Sequence, residues 1–288
     1  MTTYAYLGPR ATFSDEVAHL FAQQLDASGA QTPEFSACAT VGEVFAKVDT
    51  GSADFGVVPI ENSLEGSVNT TLDELASGHA VSIIGEKVLA IHHALVARPG
   101  TALADINTLL SYPSAMERCA RWIQRTLPGR PVLAVASAGD AVRLAVERPG
   151  YGAVATEFAA EVYEGAVIED HIEDAENNLT SYLLIAGEDA AAAWQEAAPA
   201  QDGPWKTSVA LFQVDDKPGS LLMILSEFAQ AGINLTKIQS RPTGQALGKY
   251  MFFLDFKGRQ DDPEVAAALD RLRAVLREVK VLGSYPAA

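Results

Sequence analysis

From Trp205 onward the chain reads as a series of elements whose order leaves few ways to pack. The run "TSVALFQV" (207–214) reads as a strand, and "GSLLMILSEFAQAG" (219–232) as an amphipathic helix that closes on Gly232. Two further strands are read in "INLTKIQSRP" (233–242) and "LGKYMFFLDFKG" (247–258). "DPEVAAALDRLRAVLREV" (262–279) opens on an Asp-Pro cap signal and predicts a helix, and "KVLGSY" (280–285) a closing strand. Strand-helix-strand-strand-helix-strand is the ferredoxin-like pattern. Just upstream, the Ala-rich, Pro-containing stretch "GEDAAAAWQEAAPAQDGPWK" (187–206) separates two well-patterned regions and is expected to be a linker.

At 288 residues and 48% hydrophobic, the chain exceeds one ordinary domain and can bury two cores. Its longer first part contains an internal echo. "TVGEVFAKVDTGSADFGVVPIE", starting at Thr40, and "SAGDAVRLAVERPGYGAVATE", starting at Ser137, share a Gly-acid pair, a helical stretch, a polar turn, aromatic-Gly, a short apolar strand and a final Glu. Two related α/β lobes are the expectation. "EKVLAIHHALVARPG" (86–100) is then the crossing from one lobe to the other, and "NNLTSYLLI" (177–185) the return. Small ligands favour clefts between such lobes, so the polar ends of Val57–Asn62 and Ala153–Glu157 and the residues around Thr180 are expected to face one.

Composition excludes several classes of partner. The formal charge is −16, and because the region from Trp205 carries 11 basic and 9 acidic residues, the rest stands at about −18. Nucleic acid and anionic membranes reward the opposite balance. An anionic ligand must instead be met by local donors such as backbone N–H groups, hydroxyls and helix amino termini. No apolar run is long enough to span a bilayer, and "MTTYAYLGPR" lacks the order of a signal peptide, so a cytoplasmic protein is expected. Cys38 and Cys119 make no CxxC spacing and are expected to be small buried hydrophobes, Cys119 sharing a helical face with Met116, Ile123 and Leu127. His92 and His93 are neighbours on a strand, point to opposite faces and cannot both ligate one ion; one inward and one outward imidazole is expected. With no metal-site, phosphate-loop or dinucleotide motif in the sequence, neither metal nor cofactor is expected.

What the first part does concentrate is hydroxyl and amide groups at turns: "GPRATFSDE" (8–16), "PIENSLEGSVNTT" (59–71), "SYPSAMER" (111–118) and "ENNLTSY" (176–182). Each alone is explained by capping. Together they favour a carboxylate-binding cleft built from hydroxyls and helix amino termini.

These segments, with "KPGSLLMILSEF" and "GINLTKIQSRP" after them, resemble the prephenate dehydratase family with its carboxy-terminal ACT regulatory domain. The resemblance covers nearly the whole chain and implies a two-lobed, periplasmic-binding-protein-like α/β region over 1–190, with one lobe from about 1–80 and 178–190 and the other from about 81–177. It implies a ferredoxin-like ACT domain over 205–288. The implied reaction turns prephenate into phenylpyruvate, water and carbon dioxide under control of L-phenylalanine, in a homodimer joined through ACT domains and pairing into a tetramer. Thr180 matches the family's catalytic threonine. Asn62, Ser63 and Ser111 match substrate-contacting positions, and Thr12, Glu61, Arg118 and Ser181 are taken as cleft neighbours. The effector set implied is Gly219, Ser220, Leu221, Leu222, Asn234, Leu235, Gln239, Ser240, Arg241 and Pro242. The family's Thr-Arg-Phe stands here as Thr180-Ser181-Tyr182, its Ser-His-Pro as Ser111-Tyr112-Pro113, and the glycine before Thr12 as Ala11. Those departures leave two other readings open: an arogenate dehydratase, or an amino-acid sensor with an impaired catalytic site.

Overall fold

The computed structural model describes residues 1–25, 32–197, 204–213, 217–244 and 249–288. Strands β1 (Thr3–Leu7), β2 (Glu34–Cys38), β3 (Phe55–Asn62), β4 (Gly66–Ser67) and β5 (Val81–Ala90) alternate with helices α1 (Phe13–Leu25), α2 (Val41–Asp49) and α3 (Asn69–Ala76). Next come β6 (Ala94–Ala97) and β7 (Thr108–Ser111), then α4 (Pro113–Arg118), α5 (Ala120–Thr126), β8 (Val132–Ala134), α6 (Ala138–Glu147), β9 (Tyr151–Ala155), α7 (Glu157–Val162) and β10 (Ala166–Glu169). The chain continues through β11 (Leu179–Gly187), α8 (Glu188–Ala197), β12 (Trp205–Phe212), α9 (Ser220–Gln230), β13 (Leu235–Pro242), β14 (Tyr250–Lys257), α10 (Pro263–Val275) and β15 (Glu278–Pro286).

Among the described residues three sheets result, with orders β2-β1-β3-β11-β5 (β4 paired to β3), β10-β6-β9-β7-β8 and β13-β14-β12-β15. The expected crossing (86–100) contains the end of β5, in the first sheet, and β6, in the second. The return is β11, between β3 and β5. Both copies of the echo fold as helix-turn-strand, α2 into β3 and α6 into β9. By contact density the chain divides into two units. The first comprises Met1–Val44, Val57–Val68 and Val88–Tyr182, and the second Phe45–Gly56, Asn69–Lys87 and Leu183–Ala288.

In the first unit, Ala94, Val96, Ala153 and Ala155 pack with α6 residues Ala141, Val142 and Ala145. Leu95, Leu109 and Val154 pack with Ala115, Cys119, Trp122 and Ile123. Strand residues of β6 and β9 contribute alternately to these two clusters, as the two-residue period of a strand buried on both faces requires. Cys119 is fully buried among apolar neighbours, which pushes its thiol up to about 12, and Cys38 is buried too.

The four-stranded sheet in the second unit has the ferredoxin-like order, with β12 in the interior and β13 and β15 at the edges. Val209, Leu211, Leu254 and Phe256 pack beneath Ile224 and Phe228 of α9 and Leu269 and Leu272 of α10. Two local expectations change. The expected linker is helical over Glu188–Ala197, where consecutive alanines have the highest helix propensity and acidic residues occupy the first turn. The helix expected over 262–279 ends at Val275, because Leu276 turns to extended geometry and Glu278 and Val279 join β15, paired with Phe212 and Leu211 of β12. Val214, Leu247 and Gly248, expected in strands, lie outside the described residues.

Candidate functional site

In the first unit, the end of β3 and the start of β11 are joined by one side chain. Asn62 is buried, and its Oδ1 accepts the backbone N–H groups of Leu64 and Glu65, both at 3.0 Å. Backbone N–H groups can only donate, so these contacts fix the orientation of the amide. Its Nδ2 therefore faces β11 and donates to Asn178 Oδ1 at 2.7 Å, Thr180 Oγ1 at 2.8 Å and the Leu179 carbonyl at 3.2 Å. Ser63 closes the same junction. Its Oγ donates to the Asn177 carbonyl at 2.8 Å and accepts from Leu179 N at 2.9 Å, while its own N–H donates to the Leu179 carbonyl at 2.8 Å.

Thr180 is 7% exposed, and the hydrogen bond it makes to Asn62 uses its oxygen as acceptor. Its hydroxyl proton remains available. On β11, residues two apart share a face, so Tyr182 stands on the Thr180 side and Ser181 on the other. Ser181, where the resemblance leads one to expect arginine, therefore lies on the opposite face of the strand from the threonine hydroxyl.

Arg118, at the end of α4, pairs with Glu65 and lines a pocket with Leu64, Glu117, Asp174 and Asn178. Asn178 thus belongs both to this pocket and to the Asn62 junction. Glu65 is 66% exposed, so its ion pair with Arg118 is of the kind worth about 0–1 kcal/mol.

The remaining expected residues are placed differently. Glu61 is exposed and its backbone pairs with Ser67 of β4. Ser111 is fully buried, and its Oγ donates to the Tyr112 carbonyl at 3.1 Å. Thr12 Oγ1 donates within its own turn, to the Pro9 carbonyl at 3.0 Å. That turn holds Ala11 at φ 64°, a left-handed conformation that glycine adopts more readily than alanine. Asp15 Oδ2 accepts the Ala11 N–H at 2.7 Å and so steadies a conformation that costs an alanine roughly 1–2 kcal/mol.

Sequence reasoning missed a second pocket, lined by Phe13, Glu16, His92, His93, Thr156, Glu157, Asp170 and His171. Burial, with Glu161 and Glu157 nearby, raises the Glu16 carboxyl to about 7. His93 is buried and held down to about 4, so it is neutral; its Nε2 lies 3.1 Å from Tyr112 Oη. His92 and His93 lie in the connection between β5 and β6 rather than on the expected strand; the His92 side chain is 42% exposed. No local motif marks Glu16, and burial creates its property. Asn178 lay within a segment singled out for its amides, but its pairing with Asn62 depends on two strands meeting.

In the second unit, Gly219 caps α9 at φ 88°, and Ser220 Oγ donates to the Lys217 carbonyl at 2.8 Å. Leu222 is 68% exposed and Leu221 half-buried. Asn234 is exposed and accepts Lys257 N through its carbonyl, and Leu235 packs against the core. Along edge strand β13, Gln239 and Arg241 are half-buried, while Ile238, Ser240 and Pro242 are exposed. Arg241 binds Asp73 of α3 through both carboxylate oxygens, Nη2 to Oδ1 at 2.8 Å and to Oδ2 at 2.6 Å.

A family model described as prephenate dehydratase matches residues 4–190, and one described as ACT domain matches residues 208–274. A prephenate dehydratase of Mycolicibacterium vanbaalenii is 38% identical over 294 residues, covering 99% of this chain and 91% of that protein. A solved structure of prephenate dehydratase from Arthrobacter aurescens in complex with L-Phe aligns with a TM-score of 0.82 at 33% identity, over 100% of this chain and 92% of the other. A structure described as GqqA, a novel type of quorum quenching acylase, aligns at 0.79 with 28% identity, over 99% and 98%.

Proposed function

The chain belongs to the prephenate dehydratase family, whose members are carbon–oxygen lyases, and on that premise we propose that it converts prephenate to phenylpyruvate and is regulated by L-phenylalanine. In this reaction the C1–carboxylate bond breaks and its electrons enter the ring. The C4–O bond breaks with them, carbon dioxide leaves, and the departing hydroxide takes up a proton to become water. Aromatisation supplies the driving force. The protein's tasks are to hold two carboxylates and to assist the departing oxygen.

One observation carries the assignment of Thr180 to the second task. Its oxygen already accepts from Asn62 Nδ2, so its own proton is free to be donated, and donation into an oxygen polarises its O–H bond further. A threonine hydroxyl is a very poor acid, and its contribution is a hydrogen bond to the leaving oxygen as charge develops there. Arg118 supplies the cation for a carboxylate, which displaces the exposed Glu65 from it. Asn62 and Ser63 hold the strand that carries Thr180. The family matches carry the reaction, and the geometry around Asn62 supports the part proposed for Thr180.

The ACT domain, within 205–288, takes L-phenylalanine at the α9 amino-terminal turn and β13, where Gly219, Ser220, Asn234, Gln239 and Ser240 lie. Among the described residues β13 is an edge strand and carries exposed Ile238, and an edge of this kind suits a second copy of the chain. We assign a homodimer through these domains, pairing into a tetramer, in a cytoplasmic enzyme. The test is to incubate the purified full chain with prephenate and, separately, arogenate, following phenylpyruvate and phenylalanine with and without added L-phenylalanine. Turnover of prephenate that responds to L-phenylalanine is expected. Absence of turnover with either substrate would overturn the enzymatic reading, and preference for arogenate would reassign the substrate.

A further inference from the structure

We propose that His92, His171 and Glu173 form a binding site for a divalent transition-metal ion of the zinc, cobalt or nickel type. These three side chains come from two segments of the first unit that run together, Ile172 N donating to the His93 carbonyl at 2.9 Å. That pairing brings His92 beside the 171–173 segment. His171 and Glu173, two residues apart, flank Ile172, which is buried on the other side. The backbone of His171 is in the left-handed region, φ 50°, and its ring meets that of His92 with centroids 4.2 Å apart.

Glu173 is the fixed member. It is 7% exposed, and its Oε2 accepts the His93 N–H at 2.9 Å, which leaves Oε1 directed at both imidazoles. Oε1 lies 2.7 Å from His92 Nδ1 and 3.6 Å from His171 Nδ1, and a donor atom from each of the three lies within 4.8 Å of the others. Donors bonded at about 2.0–2.2 Å to a tetrahedral ion sit roughly 3.4 Å apart. The His171 distance already suits this, and the His92 ring, 42% exposed, has room to swing outward.

Two imidazole nitrogens and one carboxylate oxygen as donors favour borderline transition metals over magnesium or calcium, which require oxygen shells. Three protein donors leave positions open, and the pocket lined by His92 and His171 also holds Asp170 and Glu157, whose carboxyls add to the local attraction for a cation. His93 contributes no donor, since it is buried and its Nε2 is directed at Tyr112. The cluster His79–Asp49–Glu74 in the second unit offers a comparison within the same chain, because there one imidazole is engaged by carboxylates at both nitrogens.

The experiment uses the full chain, freed of any purification tag and stripped with chelator, titrated with Zn²⁺ by calorimetry and with Co²⁺ by visible ligand-field absorption. Saturable binding of a single ion per chain is expected. His171→Ala, at a side chain 60% exposed, and His92→Ala should each weaken binding at least about tenfold with an unchanged circular dichroism spectrum. His79→Ala should bind as the parent does. Absence of saturable binding, binding that survives both His171→Ala and His92→Ala, or binding lost in His79→Ala instead, would each overturn the proposal. None of these readouts depends on turnover, so the result stands apart from the dehydratase reading.

Discussion

The Asn62–Thr180 junction and edge strand β13 treat polar side chains in opposite ways. At the junction Asn62, Asn178 and Thr180 are 8%, 4% and 7% exposed, and the Asn62 amide alone serves five partners. Along β13 the residues alternate between half-buried and exposed, Arg241 is tied down by Asp73, and the outward face is left to solvent. Buried polar groups that are fully satisfied hold one geometry, which a bond-breaking step requires. An exposed edge keeps its backbone available for something that arrives later, which suits an effector or a second copy.

The sharpest way to break this contrast is at its most buried hydroxyl. Thr180→Ala should lower kcat by about 10²–10⁴ while leaving L-phenylalanine binding intact, as steady-state kinetics and calorimetry would show. A near-normal kcat would remove Thr180 from the reaction. Asn62→Ala should cost about 2–4 kcal/mol in denaturant unfolding, because it strands the buried polar groups of Asn178 and Thr180 and releases the turn at Leu64 and Glu65. Its kcat should fall as well. If stability were unchanged, the junction would be no more rigid than the edge strand.

A pH experiment probes burial directly. The folded Glu16 carboxyl is raised to about 7 from an ordinary value near 4.5, so the fold favours its protonated form. Below 4.5 that group imposes no penalty. As pH rises from 4.5 through 7 the unfolded chain ionises first and the fold loses stability, with the full loss reached above 7. Glu16→Gln should therefore stabilise the protein at pH 8 by roughly 1–2 kcal/mol, after allowance for partial solvent screening, and hardly at all at pH 4. Urea unfolding at the two pH values measures the difference. An equal effect at both would show that burial is not the cause.

Smaller effects belong to the second region. Ile238→Asp should weaken self-association in light scattering with little change in monomer unfolding, and Asp73→Ala should shift unfolding by no more than about 1 kcal/mol, since Arg241–Asp73 is an exposed pair. Asp73→Ala should nonetheless alter the response to L-phenylalanine, because it frees Arg241 on the strand proposed to hold the effector. An unaltered response would place the effector elsewhere.

Much of this was legible in residue patterns. The six elements after Trp205, the repeated helix-turn-strand and the buried cysteines all follow from period, composition and capping. The misreadings have local causes too. Alanine-rich chain was read as a linker although alanine favours helix, and "REV" was read as helix although β12 offered it a partner. Strand alternation places Ser181 on the opposite face of β11 from Thr180, a separation that the period of two already implies.

By itself, then, the sequence determined most of the elements after Trp205, the repeated helix-turn-strand and which family the motifs resemble, because these are encoded within a few residues. Only the tertiary structure decided that Asn62 donates to Thr180, that Arg118 meets Glu65, that Arg241 is tied to Asp73, that Glu16 holds its proton near neutrality, and that Glu173 faces two imidazoles. Each of those depends on strand order, register and depth of burial, which are settled by long-range packing and leave no periodic mark along the chain.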